Sequence, residues 1–234
     1  MAQGHSPEKP FFDALLAEKN VLWPAIMRCN AYPRMRTEFT SPLAANSFES
    51  LKSWLAGSPD SVRTEESEQD VVFFWDFSED SRKLALLDDD QLSRLAAVVG
   101  VALHAPALAR IITRKERLAC REALGDELFD YALVRGQYQS GEATTIVAQR
   151  DLEVPLPERC RRHGWLALYL CSLPWPKELR MAFHRRLGNL CHGASTAVSS
   201  GDALKDTAWH ALWRLLKRCL LWEVAPSWKP YFTA

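Results

Sequence analysis

The strongest constraint on the fold of this chain is a series of amphipathic helical segments, each bounded by its own start and stop residues. Asp88 and Gln91 stand three residues apart, as in a helix-capping box. Apolar residues then recur at helical spacing at Leu92, Leu95, Ala96, Val99 and Leu103. Pro106 is expected to break or kink this helix. The pattern predicts an all-α (mainly α) fold: a single compact multi-helix domain with at most a minor β element.

Similar start and stop signals predict further helices along the chain. Thr113 and Glu116 form a second capping box, and Asp126 is expected to cap the helix after Gly125. The last helix is predicted to bury one face made of Ala208, Leu212, Leu215, Leu216, Cys219 and Trp222. The predicted helices are Glu8–Lys19, Ser47–Gly57, Thr113–Gly125, Asp126–Gly136, Pro157–Leu173, Pro176 to about Gly193, and Ala203–Val224.

Two segments are predicted to be loops within a single helical domain that covers residues 1–234. Residues 58–70 are rich in serine, proline and acidic residues and predict a flexible acidic loop. Residues 137–156 predict a second loop, with some extended structure in its first part. The apolar run within residues 71–77 fits either a strand or a buried helix, although its β-branched and aromatic content favours an extended conformation.

The composition is that of a globular protein with a sizeable core: 234 residues, 47% hydrophobic and 25% charged. None of the six cysteines forms a Cys-x-x-Cys pair, which favours reduced, buried thiols. Pro7, Glu8 and Pro10 interrupt the segment in which a signal peptide needs an apolar core. The apolar run 165–171 is too short to cross a bilayer. These features predict a cytoplasmic protein.

Charge is unevenly spread, although the formal net charge is zero. Residues 60–90 include eleven acidic and three basic residues, whereas residues 159–190 include seven basic and one acidic. These segments are either solvated faces or opposed partner surfaces, or one docks on the other. Trp175 and Trp228 lie near prolines and helix ends, where they contact a partner or plug a helical bundle. The candidate partner-binding residues are Arg161, Arg162, Arg185, Arg186, Arg214, Lys217, Arg218, Trp175 and Trp228.

The chain contains no recognisable catalytic motif: no P-loop, G-x-G-x-x-G, H-E-x-x-H or G-x-S-x-G. Asp88–Asp90 is explained by helix capping. His104 lacks a paired nucleophile and is interpreted as a helix-end histidine that bonds a backbone carbonyl. Packing and surface roles are favoured for the most metal-like residues, which are loosely spaced: Cys160, His163, His184, Cys191 and His192. We predict no catalytic residue, no metal and no cofactor.

A longer pattern runs from Leu92 to Leu133. It combines a leucine-rich helix with Gly100, Leu103 and His104, then Leu108, Arg110 and Ile111, then Ala123-Leu124-Gly125, and finally Phe129, Ala132 and Leu133. This pattern resembles the SctK family, also called the YscK family, of accessory proteins of bacterial type III secretion systems. In physical terms, Gly100 allows a close helix approach and Gly125 a left-handed helix end.

The resemblance implies a non-enzymatic cytoplasmic adaptor, without a cofactor, in the sorting platform of the injectisome. Members of the family link the cytoplasmic domain of the inner-membrane ring protein to the switch-complex-like platform protein. The chain is then expected to dock at the cytoplasmic face of the inner membrane only through the ring protein, and to bind no nucleic acid.

Two other functions remain open at this point. A helical regulator could bind nucleic acid through the basic C-terminal half, but the neutral net charge and the lack of a recognisable helix-turn-helix pattern argue against it. A helical, metal-dependent enzyme without a known motif is the third candidate.

Overall fold

The computed structural model of the chain describes residues 22–31, 74, 76–191 and 204–232. Of the residues that can be interpreted, 80% are helical and none forms a strand, which confirms the all-α fold. The predicted helices Glu8–Lys19 and Ser47–Gly57, the acidic loop 58–70 and most of the apolar run 71–77 lie outside the described residues. Phe74, Asp76 and Phe77 have no regular secondary structure.

The chain divides into two compact units. One contains residues 1–86 and 176–182, and the other contains residues 87–175 and 183–234. The prediction of one domain over residues 1–234 stays a prediction.

The first unit is built on α1 (Leu22–Ala31) and a 3₁₀ helix, Asp80–Leu86, which pack together. Their apolar side chains form its core: Leu22, Ala25, Ile26, Met27, Leu84, Ala85 and Leu86 are buried. Pro24 does not interrupt α1, because it lies in the first turn, where a helix needs no backbone donor. The buried Lys83 ammonium donates to the Asp80 carboxylate at 2.6 Å.

The second unit contains the longer helices. They are α2 (Asp89–Ala109), α3 (Arg114–Leu124), α4 (Asp126–Tyr131), α5 (Gln137–Gln139), α6 (Leu156–Ser172), α7 (Lys177–Leu190) and α8 (Asp206–Cys219). A π-helical turn, Ala132–Gly136, and a 3₁₀ helix, Gly141–Ile146, lie on either side of α5. A second π turn, Leu220–Val224, and a 3₁₀ helix, Pro226–Tyr231, follow α8. The helix α7 contributes its first residues to the first unit and the rest to the second.

The start of α2 confirms the predicted capping box. The Gln91 N–H donates to the Asp88 carboxylate at 2.7 Å, and the Asp88 N–H donates to the Gln91 side-chain oxygen at 3.1 Å. Of the two effects predicted for Pro106, the break is wrong, because α2 continues through Pro106 to Ala109, and the kink stays a prediction. Pro106 lies in the last turn, so only one backbone bond near the helix end is lost. By length and composition α2 could cross a membrane, but 67% of its most apolar window is buried inside the protein.

Close contact between α2 and α6 is made possible by two glycines. A Cβ atom on Gly100 would lie 1.9 Å from the carbonyl oxygen of Cys160, and one on Gly164 would lie 1.9 Å from the carbonyl oxygen of Ala96. Each helix therefore places a glycine against the backbone of the other. This confirms the predicted role of Gly100, and Gly164 is its unpredicted counterpart.

The segment after α2 follows its predicted signals in part. Thr113 caps α3 by accepting from the Glu116 N–H at 3.3 Å, and its hydroxyl donates to the Glu116 carboxylate. Gly125, at φ +87°, ends α3 in a conformation that favours glycine. Asp126 does not cap α4, because Gly125 occupies the cap position and no side chain bonds there.

Gly136 was predicted to end a helix, but this is wrong: Gly136 packs against α2. A Cβ atom on Gly136 would lie 3.2 Å from the Cβ of Ala105, and the chain continues through it as a π turn into α5. The extended structure expected after Gln137 is also wrong, because α5 and the 3₁₀ helix Gly141–Ile146 occupy that segment.

The last helix confirms most of its predicted face. Buried residues of α8 include Leu212, Leu215, Leu216 and Cys219. Trp222, predicted on the same face, is instead 65% exposed. The π turn Leu220–Val224 changes the helical phase, so Leu220 is still buried but Trp222 no longer shares the buried stripe.

We expect Gly100→Ala or Gly164→Ala to lower the free energy of unfolding by at least about 3 kcal/mol, because each methyl would meet a backbone carbonyl that no rotamer change can move. Gly188→Ala on α7 is the control, since a Cβ there meets nothing within 4 Å. It should leave stability unchanged or raise it by about 0.5–1 kcal/mol. Urea denaturation followed by circular dichroism measures both, and equal stability of the three variants would refute the close contact.

Candidate functional site

A row of three polar side chains joins α2, α6 and the turn before α6: His104 and His163 are buried, and Asp151 is exposed. His104 Nε2 lies 2.8 Å from His163 Nδ1, and His163 Nε2 lies 2.9 Å from the Asp151 carboxylate. Because an ionised carboxylate only accepts, His163 Nε2 carries the proton. Its Nδ1 is then the acceptor for the N–H of His104. Asp151 itself has φ +51°, a left-handed conformation that aspartate tolerates better than most residues.

Burial in the protein interior disfavours the charged form of each of the two histidines. Burial, followed by the nearby His163 and Arg159, lowers the pKa of His104 to about 4. Burial also lowers the pKa of His163, and the hydrogen bond that His163 donates to the Asp151 carboxylate opposes that shift. With both imidazoles neutral, each of the two hydrogen bonds in the row contains one proton. The interpretation of His104 as a helix-end histidine that bonds a carbonyl is therefore wrong: it lies inside α2 and bonds another imidazole.

We expect stability to fall as the pH drops from about 6.5 towards 4, because the unfolded chain takes up a proton on His104 that the folded chain excludes. The loss should reach about 3 kcal/mol. His104→Gln, whose amide can still donate to His163, should reduce this slope. The exposed His210→Gln is the control and should leave the slope unchanged. Chemical denaturation across this pH range measures all three proteins, and parallel slopes would contradict the assignment.

A hydrogen bond between a histidine on α7 and a serine hydroxyl on α6 has a structural role. His184 Nε2 lies 2.7 Å from the Ser172 hydroxyl, and its ring stacks on Tyr169 with centroids 4.0 Å apart. The Ser172 hydroxyl donates its one proton to the Tyr169 carbonyl at 2.7 Å. His184 must then donate to Ser172 rather than take its proton. This geometry does not activate a nucleophile.

The metal-like residues of the sequence do not come together. His163 bonds His104 and Asp151, His184 bonds Ser172, and Cys191 contacts the carbonyl of Gly188. Among the described residues, no three histidine, cysteine, aspartate or glutamate side chains are grouped as metal ligands would be. His192 lies outside the described residues. All six cysteines lie in the described residues, and none forms a disulfide bond. Burial raises the pKa of the Cys160 and Cys219 thiols to about 12.

The first two predicted contact residues bind within the chain. Arg161 and Arg162, on α6, both pair with Glu158 one turn earlier, at 3.2 and 3.1 Å. Arg161 also donates to the carbonyl oxygen of Ala123, near the end of α3, at 2.6 Å. Their charges therefore support local structure and the contact between α3 and α6, although Arg161 stays exposed.

The neighbouring Arg185 and Arg186 on α7 have different environments. Arg186 is buried, donates from Nε to the Asp89 carboxylate at 2.7 Å, and donates from Nη2 to the Leu87 carbonyl at 2.7 Å. Its planar guanidinium thus holds α7 to the start of α2. Arg185 is exposed. Arg186 therefore has a structural role inside the protein and Arg185 lies on the surface, while partner binding by either residue stays a prediction.

We expect Arg186→Ala to lower the free energy of unfolding by about 2–4 kcal/mol, because it leaves the Leu87 carbonyl and Asp89 without a charged donor. Arg185→Ala is the matched control, one residue away and exposed, and should change stability by less than about 0.5 kcal/mol. Thermal unfolding of the two variants compares them directly. Similar losses would show that burial does not separate the two arginines.

The remaining predicted residues also divide between surface and core. Arg214 and Arg218 on α8 are exposed, whereas Lys217 is half-buried, with its ammonium 6.0 Å from the centre of the Phe232 ring. Trp175 and Trp228 are only 2% and 7% exposed. Trp175 packs against Phe183, with ring centroids 4.9 Å apart. Both tryptophans lie in the core, which is the alternative that their positions near helix ends allowed, and their role in partner binding stays a prediction.

The exposed surface of α3 and the groove beside it were not predicted from the sequence. All eleven residues of α3 are described, and Cys120 alone is buried. An open groove of about 780 Å³ lies between the end of α2, α3 and the beginning of α6. Ile112 lines it and is 92% exposed. The sequence carried a signal for this surface, because the apolar residues of α3 are too few to form a core-facing stripe and four basic residues surround its start.

The described residues define a helical protein whose polar interior is structural and whose remaining candidate contact residues lie on its surface. The chain belongs to the YscK family: it matches the family described as YOP proteins translocation protein K (YscK) over residues 65–226. It is therefore a type III secretion protein, of a family of accessory components that is not a known enzyme family. No curated protein and no solved structure matches the chain.

Proposed function

We propose that this protein is a non-enzymatic adaptor in the cytoplasmic sorting platform of the type III secretion system. In this role it links the cytoplasmic domain of the inner-membrane ring protein to the switch-complex-like platform protein. It reaches the membrane only through the ring protein. The observation that carries the proposal is the family match, which spans residues 65–226 and includes both helices of the glycine contact.

The surface of the second unit supports a role in protein contacts. Arg185, Arg214 and Arg218 are exposed on two different helices. Trp222 is also exposed, with the Lys229 ammonium 3.7 Å from the centre of its ring. Arginine and tryptophan are enriched among residues that dominate binding energy at protein interfaces. An adaptor needs at least two such surfaces, one for each partner.

The internal ion pairs narrow the hypothesis of two oppositely charged surfaces. In the acidic segment, Asp76 and Glu79 pair with Arg82, and Asp89 pairs with Arg186. These carboxylates are already occupied by cations of the same chain. The proposal therefore assigns partner contacts to the exposed cations rather than to the acidic residues of the described part.

Co-expression tests the adaptor role directly. We expect this chain to co-purify with the cytoplasmic domain of the ring protein and, separately, with the platform protein, and to bridge them when all three are present. Size exclusion with light scattering gives the stoichiometry of each complex. Arg214→Glu/Arg218→Glu should weaken one of the two complexes by roughly tenfold and spare the other, because rim charges act on one interface only.

The same preparation distinguishes the competing functions. A labelled DNA duplex or RNA titrated at two salt concentrations measures nucleic-acid binding, which would weaken steeply as salt rises. Metal analysis of the purified chain tests the enzyme alternative. Failure to bind either secretion protein would overturn the adaptor role.

A further inference from the structure

The groove beside α3 combines an apolar lining with an unusual charge distribution. Its floor and walls include Ile111, Ile112, Ala119, Leu156 and Pro157. An isoleucine that is 92% exposed at the edge of a concave apolar surface gains by burial against another apolar side chain. The groove is therefore shaped to receive apolar side chains of a second molecule.

The cations around this groove make no ion pair with the part of the chain that the structure describes. Arg110 lines the groove, and Arg114, Lys115 and Arg117 follow on the first turn of α3; all four are exposed. Within the described residues none of them makes an ion pair, in contrast to Arg161, Arg162 and Arg186. From residue 110 to 117 the single acid is Glu116, whose carboxylate accepts from the Thr113 hydroxyl at 2.7 Å. The rim of the groove thus carries a net positive charge.

The backbone adds to this positive potential. Both α3 and α6 begin at the groove, because Thr113 and Pro155, their cap residues, are part of its lining. The start of a helix carries a partial positive charge. Within the described residues no side chain caps the free N–H groups at the start of α6, so they can donate to a carboxylate ligand.

We propose that the groove formed by the end of α2, α3 and the start of α6 docks a short acidic, amphipathic segment of a partner protein. Apolar side chains of that segment contact Ile111, Ile112 and Leu156, and its carboxylates face Arg110 and Arg117. This inference rests on the adaptor role, and it adds the chemistry of one partner.

Two other occupants fit the groove less well. A lipid surface takes up a convex, protruding apolar loop, whereas Ile111, Leu156 and Pro157 line a concave space. A nucleic acid gains from aromatic side chains on which bases stack, and the lining of this groove contains none. A protein segment uses both the apolar cavity and the basic rim.

Matched variants test the proposal in the complexes with the ring-protein domain and the platform protein. Ile112→Ser and Arg110→Glu/Arg117→Glu should each weaken one of the two complexes by roughly tenfold or more. Val134→Ser is the control for the isoleucine, because Val134 is 66% exposed on a different element. Arg28→Glu/Lys205→Glu, at exposed positions on α1 and before α8, controls for the change in net charge. Both controls should bind as the wild type does, and circular dichroism confirms the fold of every variant.

Photo-crosslinking locates the partner independently of affinity. With p-benzoylphenylalanine at position 112, light should join the chain to the partner whose complex the groove variants weaken. The same amino acid at position 134 should not. Peptide mapping of the crosslink should find an acidic segment with apolar residues at helical spacing.

The outcomes separate the groove from the adaptor role. Wild-type affinity in both groove variants, with no crosslink from position 112, overturns the groove and leaves the adaptor role in place. The groove variants are also tested for binding to vesicles of phosphatidylserine and phosphatidylcholine. If they bind these vesicles less than the wild type does but keep wild-type affinity for both secretion proteins, the groove is a lipid site and the proposal is overturned. If the wild-type chain binds neither secretion protein, the adaptor role fails, and the inference that rests on it fails too.

Discussion

The backbone contact between α2 and α6 determines the interior of the second unit. Gly100 lies against the Cys160 carbonyl and Gly164 against the Ala96 carbonyl, so each helix fits where the other has no side chain. His104 stands one turn after Gly100 on α2, and His163 directly precedes Gly164 on α6. The close approach of the two backbones is what brings the two imidazole rings within hydrogen-bonding distance. Without it, two buried histidines would lack partners and carry a desolvation cost.

Polar groups in this interior stabilise the fold, and their hydrogen-bonding atoms already have partners within the chain. The proton positions that satisfy Asp151 fix the donor in each bond of the histidine row, and the Ser172 hydroxyl is already committed to the Tyr169 carbonyl. The Arg186 guanidinium donates hydrogen bonds at the start of α2. Residues whose types suggest a catalytic or metal site in the sequence therefore have structural roles. Candidate residues for partner contacts must be sought among the exposed side chains.

Local signals were readable from the sequence, and signals that depend on tertiary structure were not. The caps at Asp88 and Thr113 and the stop at Gly125 each involve a few consecutive residues, so spacing alone predicted them. Arg185 and Arg186 are chemically identical neighbours, and only packing decides which one is buried. The π turn after Cys219 changes the helical phase without a proline or glycine to mark it, so the exposure of Trp222 could not be predicted.

The exposure of α3 has to be explained by what stabilises it. A helix of eleven residues is marginal by itself in water, and α3 buries only Cys120. Polar contacts at its ends replace the missing core: the Thr113 cap, the ion pairs of Arg121 with Asp126 and Asp130, and the bond from Arg161 to the Ala123 carbonyl. None of these contacts uses the cations at residues 110–117 or the side chain of Ile112. The chain therefore keeps α3 ordered while leaving its basic and apolar groups available, which is the arrangement that a contact surface requires and a core helix does not.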